Sequence, residues 1–201
     1  MTLKKINHNG LFWGKRIIVI HGYTASPSSH WFPWLKEILT EQGAEVSIPE
    51  MPESSAAQPE AWANAMMDIA SDIDENTILI GHSLGCITIL RHLEAMRSES
   101  LRLGGYIWVA GCDLPQKALP ELDIFFTNKP LDYSYLRGLT EHRFSIISSN
   151  DEIVSPQSSY ALARALQTEV ITIENAGHFL DREGFTRLLP VYDALMTMVS
   201  K

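Results

Sequence analysis

Cysteine is scarce in this chain. Cys86 and Cys112 are the two among 201 residues. That is too few for the disulfide framework of a small secreted domain, so both are expected to be reduced thiols in a cytoplasmic protein. Long apolar runs are missing as well, and no stretch approaches the roughly 18 residues that a membrane-spanning helix needs. The start, Met1-Thr2-Leu3-Lys4-Lys5-Ile6, is basic but is not followed by the apolar core of a signal peptide. Positive charge is in deficit, with 16 Lys and Arg against 24 Asp and Glu and a net charge of −8. Such a surface repels phosphate backbones and anionic lipid, which argues against nucleic acid and membrane partners. There is no internal repeat and no low-complexity segment. A His/Cys/Asp cluster at metal-ligand spacing is not evident either, so neither a metal nor a cofactor is expected.

What is present is an alternation. Short β-branched apolar runs occupy residues 16–21, 45–48, 77–81, 105–110, 143–148 and 169–173. Near-continuous apolar character is the mark of strands covered on both faces. Between them lie helix-period stretches at 27–42, 59–73, 84–96, 156–166 and 184–199. This order implies a single α/β domain over residues 1–201, with a mostly parallel six-stranded sheet and helices on both faces. Strand order 2-1-3-4-5-6 would place a reversal between the first and third strands, where open α/β sheets bind ligands. Two stretches break the pattern. Residues 1–15 carry Asn9-Gly10, consistent with either a small hairpin or a loose arm. Residues 112–142 hold Pro115, Pro120 and Pro130 and are too long for an ordinary connection, which points to a small cap insertion.

The motif that carries chemistry is Gly81-His82-Ser83-Leu84-Gly85. It fits Gly-x-Ser-x-Gly, with an apolar strand leading in and a helical stretch leading out. A sharp, strained turn there would project the Ser83 hydroxyl from the end of the sheet, making it the expected nucleophile. The following helix would aim free N–H groups at a developing oxyanion. Leu84 supplies one such N–H. The loop His21-Gly22-Tyr23-Thr24, after the first strand, supplies the second, with Tyr23 as first choice and Thr24 as alternative. His21 and His82 read as structural residues.

A serine hydroxyl needs a base to take its proton. His178, in Asn175-Ala176-Gly177-His178-Phe179, follows the last strand and is the expected base. Asp151, after the fifth strand, is the expected acid that holds the imidazole tautomer. Asp113 and Glu174 remain alternative acids. The order Ser…Asp…His, each member at a strand end, is that of the α/β-hydrolases.

Several segments together resemble a known family. These are His21-Gly22-Tyr23, Ser26-Pro27, His30-Trp31-Phe32-Pro33-Trp34-Leu35, the elbow through Cys86, Asn150-Asp151 with Val154, and Gly177-His178. They resemble the small serine hydrolases that include retinoblastoma-binding protein 9 and YdeN-like bacterial proteins. The resemblance implies a compact α/β-hydrolase domain, a triad at Ser83, Asp151 and His178, and a loosely defined esterase-type activity. A Leu-x-Cys-x-Glu retinoblastoma-binding motif is absent, because Leu84-Gly85-Cys86-Ile87-Thr88 lacks the glutamate.

The leading expectation is therefore hydrolysis of a small carboxylic ester or thioester through an acyl-enzyme. Amide or peptide cleavage by the same residues is one alternative, and a protein-binding module on a hydrolase fold is another. Trp31, Phe32, Phe125 and Phe126 are expected to line a small apolar substrate pocket beneath the cap, favouring short acyl chains. For Trp31 and Phe32, burial in the core is an equal alternative.

Overall fold

The computed structural model describes residues 10–126 and 129–200. Six strands form one sheet: β1 (Arg16–Ile20), β2 (Glu45–Ser47), β3 (Thr77–His82), β4 (Gly105–Val109), β5 (Arg143–Ser148) and β6 (Glu169–Ile173). Their order is β2-β1-β3-β4-β5-β6, and every pairing is parallel. The strand order reverses between β1 and β3, where the order 2-1-3-4-5-6 would place it.

Six helices connect them: α1 (Phe32–Glu41), α2 (Pro59–Ile69), α3 (Leu84–Ala95), α4 (Tyr133–Gly138), α5 (Pro156–Leu166) and α6 (Leu189–Val199). Proline at the first turns of α1, α2, α5 and α6 starts each helix where no N–H partner is needed. Alternate strand residues build two cores. Ile18, Ile20, Leu79, Tyr106 and Trp108 face α2, α3, α4 and α5. Ile17, Val19, Ile78, Ile80 and Ile107 face α1 and α6. Because both faces are covered, β3 and β4 are buried at every position.

Some boundaries differ from the sequence reading. The first helix begins at Phe32 rather than at residue 27, because turns occupy 27–31 and His30 has a left-handed φ of 55°. The last begins at Leu189 rather than 184, after a turn at Gly184 with φ 93°. Strand β6 is not buried. It forms the sheet edge, and Val170 is 40% exposed. Asn9 lies outside the described residues. So do residues 1–8, and with them most of the hairpin-or-arm expectation; residues 10–15 form a turn, held by the Phe12 N–H to Gln42 carbonyl bond and by the buried Phe12 ring. The 112–142 segment holds a short 3-10 turn (Pro120–Phe125) and the six-residue α4. Its apolar side chains Leu122, Phe125 and Leu136 pack into the core on the α2–α3 side. Among the described residues no helix is long and apolar enough to cross a membrane.

Candidate active site

The carboxyl ends of β1, β3, β5 and β6 converge at one end of the sheet. Ser83 follows β3 immediately and has φ 54° and ψ −121°, a strained conformation for a residue with a β-carbon. Its backbone N–H donates to the Val109 carbonyl at 2.9 Å, which ties the elbow to β4. The motif glycines allow this turn. A β-carbon at Gly81 would meet the Cys86 backbone at 2.7 Å, and one at Gly85 would meet the Ile20 carbonyl at 2.1 Å. Here glycine serves close approach of backbone to backbone, since neither position has a positive φ.

Leu84 opens α3, so its N–H lies in the first turn, where no intrahelical partner exists. In the loop after β1, the Thr24 N–H is committed to the Ser54 carbonyl at 2.9 Å. Among the described residues the Tyr23 N–H has no such partner. The loop itself is fixed by His21. Its Nε2 accepts from the Met51 N–H at 3.0 Å, so its Nδ1 carries the proton and donates to the Gly22 carbonyl at 2.9 Å. Burial lowers the His21 pKa, in keeping with this neutral tautomer.

The loops after β5 and β6 bring Asp151 against His178. Asp151 Oδ2 accepts from His178 Nδ1 at 2.7 Å, and both side chains are almost fully buried. Asp151 Oδ1 accepts the Ile153 and Val154 N–H groups, each at 2.9 Å. The carboxylate is thus oriented by two backbone donors, and the imidazole is left with Nε2 as its free nitrogen. The other acids lie elsewhere. Asp113 accepts the Tyr133 hydroxyl, and Glu174 is exposed.

Further contacts fix the His178 loop. Glu183 Oε2 accepts the N–H groups of His178 and Leu180, each at 2.9 Å. Gly177 (φ 57°) is required there, since its β-carbon would lie 2.4 Å from Glu183 Oε1. Asn150 Oδ1 accepts the Gly177 N–H at 2.8 Å and so joins the two loops. His82 donates Nε2–H to the His178 carbonyl at 2.9 Å from beneath. Burial holds the His82 pKa well below the usual imidazole range, so the ring stays neutral. The sequence marks His82 and Asn150 only as members of motifs, and it carries no direct signal for Glu183.

Ser83 and His178 line a common cavity of about 420 Å³. Tyr23, Thr24, His30, Leu119 and Arg182 line it too, so its wall mixes polar and apolar groups in about equal measure. A second recess, between Ser83 and the 112–126 stretch, has room for about one water-sized group, about 10 Å³. Leu84, Cys112, Leu119, Leu122, Phe126 and Val154 line it. Of the four aromatics expected in the pocket, only Phe126 is among these residues. Trp31 and Phe32 are fully buried and pack edge-on against His82. Because α1 starts at Phe32 and lays this end against the elbow, both rings become core. Phe125 packs on Trp62 and lines a groove between α2 and α3, not either cavity at Ser83. The expectation of an apolar pocket built on Trp31, Phe32 and Phe125 is corrected accordingly.

A parallel sheet in this order, with a strained serine elbow at its reversal, defines an α/β-hydrolase fold. Solved structures agree. The ydeN gene product of Bacillus subtilis superposes with a TM-score of 0.89 at 38% identity, covering 93% of this chain and all (100%) of that one. Est1E from Butyrivibrio proteoclasticus shares the fold at a TM-score of 0.66 and 16% identity, covering 93% of this chain and 89% of that one. The family model described as "Serine hydrolase" matches residues 17–197, and the chain belongs to that family. YdeN of Bacillus subtilis (strain 168) is 39% identical over 189 residues, 93% of this chain and 97% of that protein. The serine hydrolase RBBP9 of Rattus norvegicus is 24% identical over 185 residues, 91% and 96% of the two chains. The protein is a serine hydrolase.

Proposed function

We propose that this hydrolase cleaves small carboxylic esters or thioesters through an acyl-enzyme, with Ser83 as nucleophile, His178 as base and Asp151 as the acid that orients it. The observation that carries the reading is the 2.7 Å contact of His178 Nδ1 with a doubly anchored Asp151, in the cavity that Ser83 also lines. Ser83 Oγ attacks the carbonyl carbon while its proton passes to His178 Nε2. The N–H groups of Leu84 and Tyr23 receive the oxyanion of the tetrahedral intermediate. Collapse expels the alcohol or thiol, which takes the proton from His178. Water then attacks the Ser83 ester with His178 again as base, releasing the acid and free Ser83. No step calls for a cofactor. A small-molecule substrate suits the size of the two cavities at Ser83.

A fluorophosphonate probe tests this directly. Mass spectrometry should find one adduct, on Ser83, and Ser83→Ala should remove both labelling and ester turnover while the chain stays folded. Labelling that survives the substitution would overturn the assignment.

A further inference from the structure

The two cavities that meet at Ser83 differ in chemistry, and the difference sorts the two halves of an ester. The recess beside the 112–126 stretch is small and apolar, bounded by Leu119, Leu122 and Phe126. The larger cavity runs toward His178 and includes His30 and Arg182. The imidazolium must protonate the departing oxygen, so whatever that oxygen carries lies on the His178 side. The acyl carbon stays on Ser83, beside the recess. The alcohol half therefore faces Arg182.

The backbone of Arg182 is held in place, while the residue itself is exposed. It sits in the 3-10 turn Asp181–Glu183. Asp181 anchors one end, its N–H donating to His30 Nδ1 at 3.1 Å. Glu183 anchors the other, accepting the His178 and Leu180 N–H groups. The Asp181 carboxylate accepts the Arg182 backbone N–H at 2.7 Å and lies 3.5 Å from His30 Nδ1. Glu152 shares an adjoining cavity with Arg182. Yet among the described residues no carboxylate is within ion-pair distance of the Arg182 guanidinium. His30 adds a second donor: with Nδ1 accepting from Asp181, its proton sits on Nε2, for which the described residues offer no partner. In a chain of net charge −8, an unpaired planar guanidinium beside the reacting centre is set for bidentate contact with a carboxylate.

We infer that the preferred substrate is a short-chain ester whose alcohol half bears a carboxylate, received by Arg182 with His30 beside it. The inference rests on the esterase reading above. The test compares kcat/KM for 4-acetoxybenzoate with that for its neutral methyl ester, in wild type and in Arg182→Gln and Arg182→Lys. Taking the ratio of the two esters within each variant removes general losses of activity. The charged-to-neutral ratio should fall about tenfold in Arg182→Gln, as expected for a partly exposed charge-assisted pair. Arg182→Lys should restore part of it, and added salt should lower it in wild type. A second pair, monoethyl succinate against ethyl butyrate, puts the charge on the acyl half and should show no Arg182-dependent ratio. An unchanged ratio in Arg182→Gln, or a dependence found only with the succinate pair, overturns the inference alone. Absence of turnover of every ester by wild type overturns the esterase reading and this inference with it, and fluorophosphonate labelling then reports whether Ser83 is still a nucleophile.

Discussion

A β-carbon at Gly22 would lie 3.0 Å from the Ser83 Cβ and 3.5 Å from its Oγ. The loop after β1 thus passes against the serine itself, which is how the neighbouring Tyr23 comes to share a cavity with Ser83. Gly22→Ala must move one of the two by a few tenths of an ångström. Small misplacements of reacting groups are costly, so kcat should fall about tenfold or more while thermal unfolding changes little. Steady-state kinetics beside a melting curve would check this, and an unchanged kcat would show that the loop gives way freely.

The 2.7 Å contact between Asp151 and His178 makes a sharper forecast. Asp151→Asn presents an amide to Nδ1 and favours the wrong tautomer, so kcat should fall by about 10⁴. Asp113, bonded to Tyr133, should matter far less: Asp113→Asn is expected to keep kcat within about tenfold of wild type. Reversed effects would move the acid to the loop after β4.

Glu183 accepts two backbone N–H groups and so fixes the turn that carries His178. Glu183→Gln keeps an acceptor oxygen, whereas Glu183→Ala leaves two N–H groups without one. The alanine variant should lose kcat by about 10² with little change in KM, and the glutamine variant should recover most of it. Equal losses in both variants would mean that the charge, rather than the hydrogen bonds, is what matters.

The parts of this site that the sequence displays are those with backbone requirements. Gly81 and Gly85 are needed where neighbouring backbone passes so close that an added β-carbon would lie 2.7 and 2.1 Å from it, and that demand leaves a motif. The interior strands are legible because burial on both faces forces near-continuous apolar sequence. Strand β6 misleads because Val170, Ile171 and Ile173 resemble an interior strand, although its outer edge meets solvent. Trp31 and Phe125 mislead for another reason: an aromatic side chain reads the same in a core as in a pocket. Asn150 acts through an N–H group of a distant loop, and Glu183 through N–H groups of the turn just before it; such side-chain-to-backbone partners leave no periodicity. Only Gly177, held at φ 57°, hints that something must pass close by.

His82 couples stability to pH. Burial lowers its folded pKa well below the ordinary value of 6.5. Above about pH 6.5 the ring is neutral in both states, and its effect on stability is fully favourable. Below that, the unfolded chain takes up a proton that the folded chain does not, so stability falls as pH falls. His21, His30 and His92 are lowered by burial too and act in the same direction. Urea midpoints should therefore drop between pH 7.5 and 5.0. His82→Gln, which keeps a donor for the His178 carbonyl but cannot titrate, should show a smaller drop. The same drop in both proteins would remove His82 as a source.

Acyl-chain length should be set by the recess between Ser83 and the 112–126 stretch. That recess holds about one water-sized group, about 10 Å³, and Phe126 is its largest lining side chain. The methyl of an acetyl group matches that space. Each further methylene must displace Leu122 or Phe126, and both belong to the packed side of the cap. One methylene is worth about 1–3 kcal/mol of discrimination in an apolar site, so kcat/KM should decline by roughly tenfold or more per added carbon once the recess is full. Phe126→Ala opens space next to Leu119 and should move the optimum toward butyrate or hexanoate. Phe125→Ala should not, because Phe125 faces the α2–α3 groove and Trp62 instead. A series of 4-nitrophenyl esters from acetate to decanoate, run on the three proteins, separates these outcomes. A wild-type optimum at octanoate or beyond would mean that the acyl group avoids the recess and extends through the larger cavity toward His30.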